Sequence, residues 1–284
     1  MIKVALPNKG QLFEPTMDIL MACGYKVSKS LRSLSTLDGE NQVEFYFLRP
    51  GDIPMYVAKG VLDAGITGKD FVAEKGSDAA HLLDLNFGHS KLCAAIPRES
   101  YTTVETVAEL FGKGLSVATS FPNIIRQKYP NMGIRFVELE GAVEISIKLG
   151  IADAIVDIVE TGTTLKQAGL RIIGDPIFVS CAALYAHPGR ETQEEVLILR
   201  SRLEGKLLAM EYMMVEYDAP DAILKQACAI TPGIESPTVM ALEKSGWRSV
   251  KALIKKRDAQ RIMDSLAKLG CKWILLTSID SARI

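Results

Sequence analysis

EISIKLGIADAIVDIVETGTTL, residues Glu144 to Leu165, contains a strand, a turn and the start of a helix. Ala154 to Val159 is an apolar, β-branched run with one internal acid, Asp157. Such a run reads as a buried strand. It breaks into Glu160-Thr161-Gly162-Thr163-Thr164 and resumes with helical composition at Leu165-Lys166-Gln167-Ala168. The first N–H groups of a helix have no partner within it, and the helix dipole favours an anion there. Gly162 can take positive φ and bring the backbone close to a ligand, while Thr161, Thr163 and Thr164 add hydroxyl donors. A Thr/Gly turn can also be no more than a helix cap. The acid inside the apolar run tips the balance, because a carboxylate in a core strand is costly unless it is paired or sits at a site. Ionised, it accepts from the hydroxyls of a sugar. A phosphate cradle beside an acceptor for a diol describes a ribose 5-phosphate. Asp153 shares a face with Asp157 but stands about 13 Å from it if the segment is extended, too far to hold the same ribose. Asp153 is therefore read as a structural or turn-capping acid.

Working outward, strands alternate with helices on both sides of this stretch. Residues 2–6 read as a strand, then Pro7-Asn8-Lys9-Gly10 and an amphipathic helix to about Cys23. Strand 43–48 precedes Arg49-Pro50-Gly51-Asp52, helix 53–59 follows, and strand 64–67 precedes Gly68-Lys69-Asp70. The alternation predicts an α/β fold with parallel sheets and covered faces. Near Gly88 the pattern restarts, with strands at 91–96, 115–119, 135–139 and 154–159 and helices at 104–111 and 122–128. A strand at 177–186 is expected to return the chain to the first unit. This gives a first lobe of residues 1–88 with 180–190, and a second lobe of 89–179, with a ligand cleft between them. Residues 191–210 read as a linker helix. From 211 to 284 the order is strand 212–217, helix 220–229, strands 238–242 and 249–254, helix 258–269 and strand 272–276, the βαββαβ order of a ferredoxin-like domain.

Bulk properties exclude several classes. With a net charge of −1 there is no electrostatic footprint for nucleic acid or an anionic membrane. No apolar run reaches membrane-spanning length, and the N-terminus enters a strand without a signal-peptide pattern. Five cysteines (23, 93, 181, 228, 271) lack CxxC spacing and the three histidines are dispersed, so neither a disulfide framework nor a zinc site is expected. A reduced, cytoplasmic protein is the expectation. No nucleophile motif stands out, which favours chemistry by positioning two bound substrates over covalent catalysis.

Three charged residues fall at the carboxyl ends of first-lobe strands, where parallel sheets present ligand-facing loops: Lys9, Arg49 and Asp70. Arginine there suits bidentate phosphate contacts or stacking on a base. Phe121, in the second lobe's ATSFPN, offers either an aromatic face to the cleft or core packing.

The chain resembles the ATP phosphoribosyltransferase family, long form. The resemblance is carried by Glu144, Gly150, Ala152, Ile155, Asp157, Ile158, Thr161-Gly162 and Thr164-Leu165. It extends to LPNKG, LRPGDIPMYV, LDAGITGKD, ATSFPN, YDAP and ITPGIESPT, essentially the whole length. It implies two periplasmic-binding-protein-like lobes plus a C-terminal ferredoxin-like regulatory domain. It also implies transfer of a 5-phosphoribosyl group from phosphoribosyl pyrophosphate to N1 of ATP, releasing pyrophosphate. Carried over by position, Thr161, Gly162, Thr163 and Thr164 would hold the 5-phosphate, with Glu144 and Asp157 on the ribose side, and Glu160 would also belong to the phosphoribosyl pyrophosphate site. Lys9, Arg49, Asp70 and Phe121 would serve ATP or pyrophosphate. Asp218, Ile234, Ser236 and Thr238 would surround histidine as feedback inhibitor. Mg²⁺ is implied, carried mainly by pyrophosphate with no protein ligand named, and so is a homo-oligomer moving between dimer and hexamer. The chain departs from related patterns at three points. Val156 leaves a single acid before the turn where many phosphoribosyltransferases have two, position 121 is often tyrosine in the family, and Trp273 stands beside the presumed inhibitor site.

Overall fold

The computed structural model describes residues 1–28, 33–159 and 162–283, arranged as two compact units, Met1–Arg200 and Ser201–Ile284. The first unit begins with β1 (Ile2–Pro7), α1 (Phe13–Ala22), β2 (Ser35–Asp38), β3 (Val43–Leu48), α2 (Ile53–Ala58), β4 (Ala64–Gly68), α3 (Lys69–Glu74) and β5 (Ala80–Asp84). Val43, Phe45 and Phe47 alternate inward along β3, whereas every residue of β4 is buried, as a strand covered on both faces requires.

The second half of this unit runs β6 (Ser90–Pro97), α4 (Val107–Gly112), β7 (Ser116–Thr119), α5 (Pro122–Lys128), β8 (Arg135–Glu138), α6 (Ile145–Lys148), β9 (Ala154–Val159), α7 (Thr163–Gln167), β10 (Leu170–Ser180) and β11 (Ala182–Ala186). Thr106 starts α4 three residues later than its composition suggests, because Thr106 and Glu109 form a reciprocal capping box.

Two sheets result, one per lobe, in the orders β2-β3-β1-β4-β11-β5 and β10-β6-β9-β7-β8. Neither is purely parallel. β1 runs parallel to β3 and β4, and β7 to β8 and β9, but β11 is antiparallel to β4 and β6 to β9. The chain crosses between lobes twice, so the strands that enter from a crossing, β6 and β11, run against the strands connected by helices. The expected single strand over 177–186 is two strands. Phe178–Ser180 pairs with Leu92–Ser90 in the second sheet, and after Cys181 the segment Ala182–Ala186 pairs with Gly68–Ala64 in the first. Both halves are apolar and no turn residue separates them, so composition does not mark the break.

The helix α8 (Glu194–Glu211) runs across the boundary between the units. The second unit then follows β12 (Tyr212–Pro220), α9 (Leu224–Ile230), β13 (Thr238–Ala241), β14 (Trp247–Lys255), α10 (Ala259–Leu269) and β15 (Lys272–Ser278). The antiparallel order β13-β14-β12-β15 is that of a ferredoxin-like domain. Val215, Tyr217 and Ala219 of β12 point into its core with Val250, Ala252 and Ile254 of β14, and Leu266 of α10 closes it. The fold is thus two α/β lobes, each built on one mixed sheet, and a ferredoxin-like domain. Among the described residues no helix is long and apolar enough to cross a membrane.

Candidate functional site

The carboxyl ends of β1, β3 and β4 are tied together by hydrogen bonds. The Asn8 N–H donates to the Leu48 carbonyl at 2.8 Å, joining the Lys9 loop to the end of β3. The Thr67 hydroxyl of β4 donates to the Pro50 carbonyl at 2.7 Å, fixing the turn that carries Arg49. Lys9 and Asp70 reach a common cavity of about 250 Å³ through these loops, lined also by Pro50 and Phe71 from the first lobe and by Ser90 and Ile158 from the second. Arg49 is exposed beside the cavity and is not among its lining residues.

Asp70 is 5 % exposed, at the start of α3. Its N–H donates to Ser180 Oγ at 3.1 Å, and that hydroxyl donates to Asp70 Oδ1 at 2.8 Å. Burial raises its pKa above the usual carboxylate range, and the Ser180 hydroxyl opposes the rise. Gly68 is required here for space, because a Cβ at that position would overlap Asp70 Oδ1.

The second half-site is built on β9. Successive strand residues point to opposite faces. Ala154 and Val156 enter one core cluster, Ile155 and Val159 another, and Asp157 lies on the second face with its register partner Cys93. Those apolar neighbours desolvate the half-buried carboxyl and push its pKa up to about 6. The Ile158 N–H, donating to Oδ1 at 2.8 Å, pulls the other way, and the nearby charge of Glu144 adds to the rise. The structure therefore brings Glu144, at the N-cap of α6, within electrostatic reach of Asp157. Asp153 is committed elsewhere: Oδ2 accepts from the Ser116 N–H at 2.9 Å and its hydroxyl at 2.7 Å.

Gly162 takes φ +75° at the N-cap of α7, a left-handed conformation that glycine adopts without strain. The first helical bond is Lys166 N–H to the Gly162 carbonyl at 3.1 Å, which leaves the Thr164 and Leu165 N–H groups ahead of the ladder. Thr163 and Thr164 are exposed at this start, while buried Leu165 anchors the turn, a burial worth about 1.5–3 kcal/mol. Glu160 and Thr161 lie outside the described residues.

Two expectations about geometry need correcting or completing. The cavity reaches β9 at Ile158, on the face opposite Asp157, so the acid pair and the Lys9–Asp70 cavity are adjacent half-sites at the end of one strand and not one continuous pocket. Phe121 does not face open space: it is 6 % exposed, and its ring meets Phe71 at 6.0 Å within the core. Phe71, Ser90 and Ser180 were not singled out from sequence. Phe71 follows Asp70 directly, and Ser90 sits where the pattern restarts, but nothing in sequence marks Ser180. In the second unit Asp218 is on β12, paired in register with Ser249 and Lys272, while Ile234, Ser236 and Thr238 are exposed. Trp273 is 77 % exposed with φ +51°, where β15 shifts register against β12.

Comparison with known proteins fixes the class. The family model HisG, ATP phosphoribosyltransferase, matches residues 49–205, and HisG, C-terminal domain, matches residues 209–281. The chain is 44 % identical over 291 residues to the ATP phosphoribosyltransferase of Arthrobacter sp. (strain FB24), and 41 % over 288 residues to that of Mycobacterium tuberculosis (strain ATCC 25177 / H37Ra). Both matches cover 100 % of each chain. Among solved structures, the ATP phosphoribosyl transferase (HisG:HisZ) complex from Thermotoga maritima aligns with 72 % of this chain and 97 % of that one, at 29 % identity and TM-score 0.61. The protein is a phosphoribosyltransferase, an enzyme of the glycosyltransferase class. It belongs to the ATP phosphoribosyltransferase family of histidine biosynthesis, in the long form that carries the C-terminal domain.

Proposed function

We propose that this chain transfers the 5-phosphoribosyl group of phosphoribosyl pyrophosphate to N1 of ATP, releasing pyrophosphate, and that histidine inhibits it through residues 211–284. The observation that carries the transfer reading is the second-lobe half-site. A left-handed Gly162 opens a helix behind Thr163 and Thr164, and two carboxylates, Asp157 and Glu144, are close enough to repel. Such a start takes a phosphate, and paired acids take a ribose and the positive charge that grows at its anomeric carbon as pyrophosphate leaves. The facing half-site of Lys9, Arg49 and Asp70, with both charge signs at tied loop ends, suits a nucleotide triphosphate or the departing pyrophosphate. The lobes hold two reactants in line, and adenine N1 brings its own lone pair, so no general base is assigned.

Among the described residues there is no group of three or more histidine, cysteine, aspartate or glutamate side chains able to cage a metal. One or two carboxylates plus substrate phosphates is the usual setting for Mg²⁺, and Asp157 with Glu144 fits it. When bound with pyrophosphate, Mg²⁺ would neutralise the leaving charge. In the regulatory reading Asp218 answers the charged amine of histidine, with Ile234, Ser236 and Thr238 around it, in a homo-oligomer that moves between dimer and hexamer.

One assay tests both halves. Protein, Mg²⁺, phosphoribosyl pyrophosphate and ATP should give new ultraviolet absorbance together with pyrophosphate, suppressed by histidine. Pyrophosphate release with another nucleobase and none with ATP would refute the acceptor assignment. Undiminished rates with histidine would refute the regulatory one.

A further inference from the structure

Helix α3 belongs by sequence to the first lobe, yet it is fastened to the second at both ends. At its start, Asp70 exchanges bonds with Ser180, the last residue of the second-sheet strand β10. Phe71 and Ala73 then pack against the second lobe's core. At its end, Glu74, 8 % exposed, reaches α5. Its carboxylate accepts the Asn123 N–H at 3.0 Å through Oε1 and 3.1 Å through Oε2, and the Ile124 N–H at 3.0 Å through Oε2. Asn123 Nδ2 returns a bond to the Glu74 carbonyl at 3.0 Å.

Asn123 and Ile124 lie in the first turn of α5, where backbone N–H groups need an acceptor from outside the helix. The ordinary solution is a Ser, Thr, Asp or Asn at the N-cap, local and solvent-exposed. Here the N-cap is Phe121, whose side chain caps nothing and packs on Phe71. The cap comes from the other lobe, at the expense of burying a carboxylate, which is tolerable only because three N–H contacts satisfy it. Lys75 and Arg126 are the charged groups that face it, and burial still holds its proton affinity above normal. A helix capped from across a boundary is complete only while the two bodies keep their places. Asp70, at the first fastening, and Phe71, between the two, are both in the cavity wall.

We propose that Glu74 is a positioning residue of the transfer reaction: by capping α5 across the lobe boundary it holds the second lobe, with its acids and phosphate turn, in register with the first. Glu74 touches no substrate. The inference rests on the reading that each lobe holds one reactant. Binding of either reactant alone is then indifferent to Glu74, while their alignment depends on it, and misplacement by about 1 Å can cost on the order of 100-fold in rate.

Glu74→Gln keeps the shape but turns one acceptor oxygen into an NH₂ that faces a backbone N–H. In the full-length protein, amide exchange in residues 121–126 should quicken by about tenfold or more as the local opening free energy falls. Dissociation constants for ATP alone and phosphoribosyl pyrophosphate alone should stay within about twofold, while kcat falls by about tenfold or more. Faster exchange with unchanged kcat would reduce Glu74 to a cap and overturn the proposal, as would single-substrate affinities that weaken as much as kcat. Unchanged exchange would overturn the cap itself. If Glu74→Gln does not fold, Asn123→Ala, which removes the bond to the Glu74 carbonyl together with the one that Asn123 Oδ1 accepts from Arg126 at 3.0 Å, must lower kcat without changing either affinity, and an unaltered kcat would overturn the proposal. Should the wild-type protein form no phosphoribosyl-ATP, it is the functional reading that fails, and the exchange measurement still decides whether Glu74 caps α5.

Discussion

Asp157→Asn should make the protein more stable and slower at once, and the stability gain should depend on pH. Burial raises the Asp157 carboxyl from 3.8 in the unfolded chain to about 6 in the folded one. The native state therefore binds the proton more tightly, and stability attributable to this group falls as pH rises through about 4 to 6. Above that window the ionised side chain costs, at 1.36 kcal/mol per pH unit, at most about 3 kcal/mol. Asparagine has the same shape, keeps an oxygen for the Ile158 N–H bond and never ionises, so it recovers part of that cost. For a unit of this size each kcal/mol moves Tm by about 2–4 °C, so the gain at pH 8 should be about 3–10 °C. Near pH 4, where the folded-state aspartate is protonated and the unfolded one about half so, the gain should shrink to about 0.5 kcal/mol or less. Thermal unfolding of both proteins across pH 4 to 8, alongside turnover at pH 8, reads both effects. A variant that is less stable at pH 8, or whose gain is the same at both ends, refutes the desolvation argument. Near-normal turnover refutes the catalytic assignment.

Because Asp157 must ionise to stabilise positive charge, kcat/KM should fall on the acid side with an apparent midpoint near pH 6, and Glu144→Gln should move that limb to lower pH by removing a like charge. A limb that stays put in a pH–rate profile would separate the two acids. Thr163→Val with Thr164→Val should weaken phosphoribosyl pyrophosphate by about 1–3 kcal/mol, roughly 5- to 150-fold in its KM, with the KM for ATP unchanged. Gly68→Ala should displace the Asp70 carboxylate from Ser180, costing about 1–3 kcal/mol in unfolding free energy and raising the KM for ATP, both by standard titrations. Asp218→Asn should raise the histidine concentration for half-inhibition by about tenfold or more while leaving uninhibited kcat unchanged, since it removes a charge-assisted contact worth about 1.5–3 kcal/mol.

What the sequence made legible follows from how local each signal is. The turn after Val159 could be read because Gly162 and its threonines are contiguous and their conformational demands are short-range. The βαββαβ order of the last 74 residues was readable for the same reason, since apolar periodicity and turn residues lie within each element. Strand 177–186 was misread because pairing partners are not local. Phe178 and Ala183 look alike in composition, and only Leu92 and Thr67, far off in the chain, decide that they belong to different sheets.

The same distinction explains why the residues that join the lobes were invisible. Asp70 could be singled out by its place after a strand, but its partner Ser180 lies 110 positions away. Glu74 reads as an ordinary acid on a short helix until α5, about 50 positions on, is seen to lack a cap of its own. Phe121 joins the two kinds of information. Its sequence position, at the end of a second-lobe strand, allowed both cleft and core. The ring then went to Phe71, so position 121 supplies inter-lobe packing in place of a cap. An aromatic N-cap leaves two N–H groups to be satisfied from elsewhere, and Glu74 is where that need is met. In a two-lobed transferase the substrate-holding signals are local to each lobe and can be read one at a time. The registration of the lobes is a property of pairs, and only the folded chain displays it.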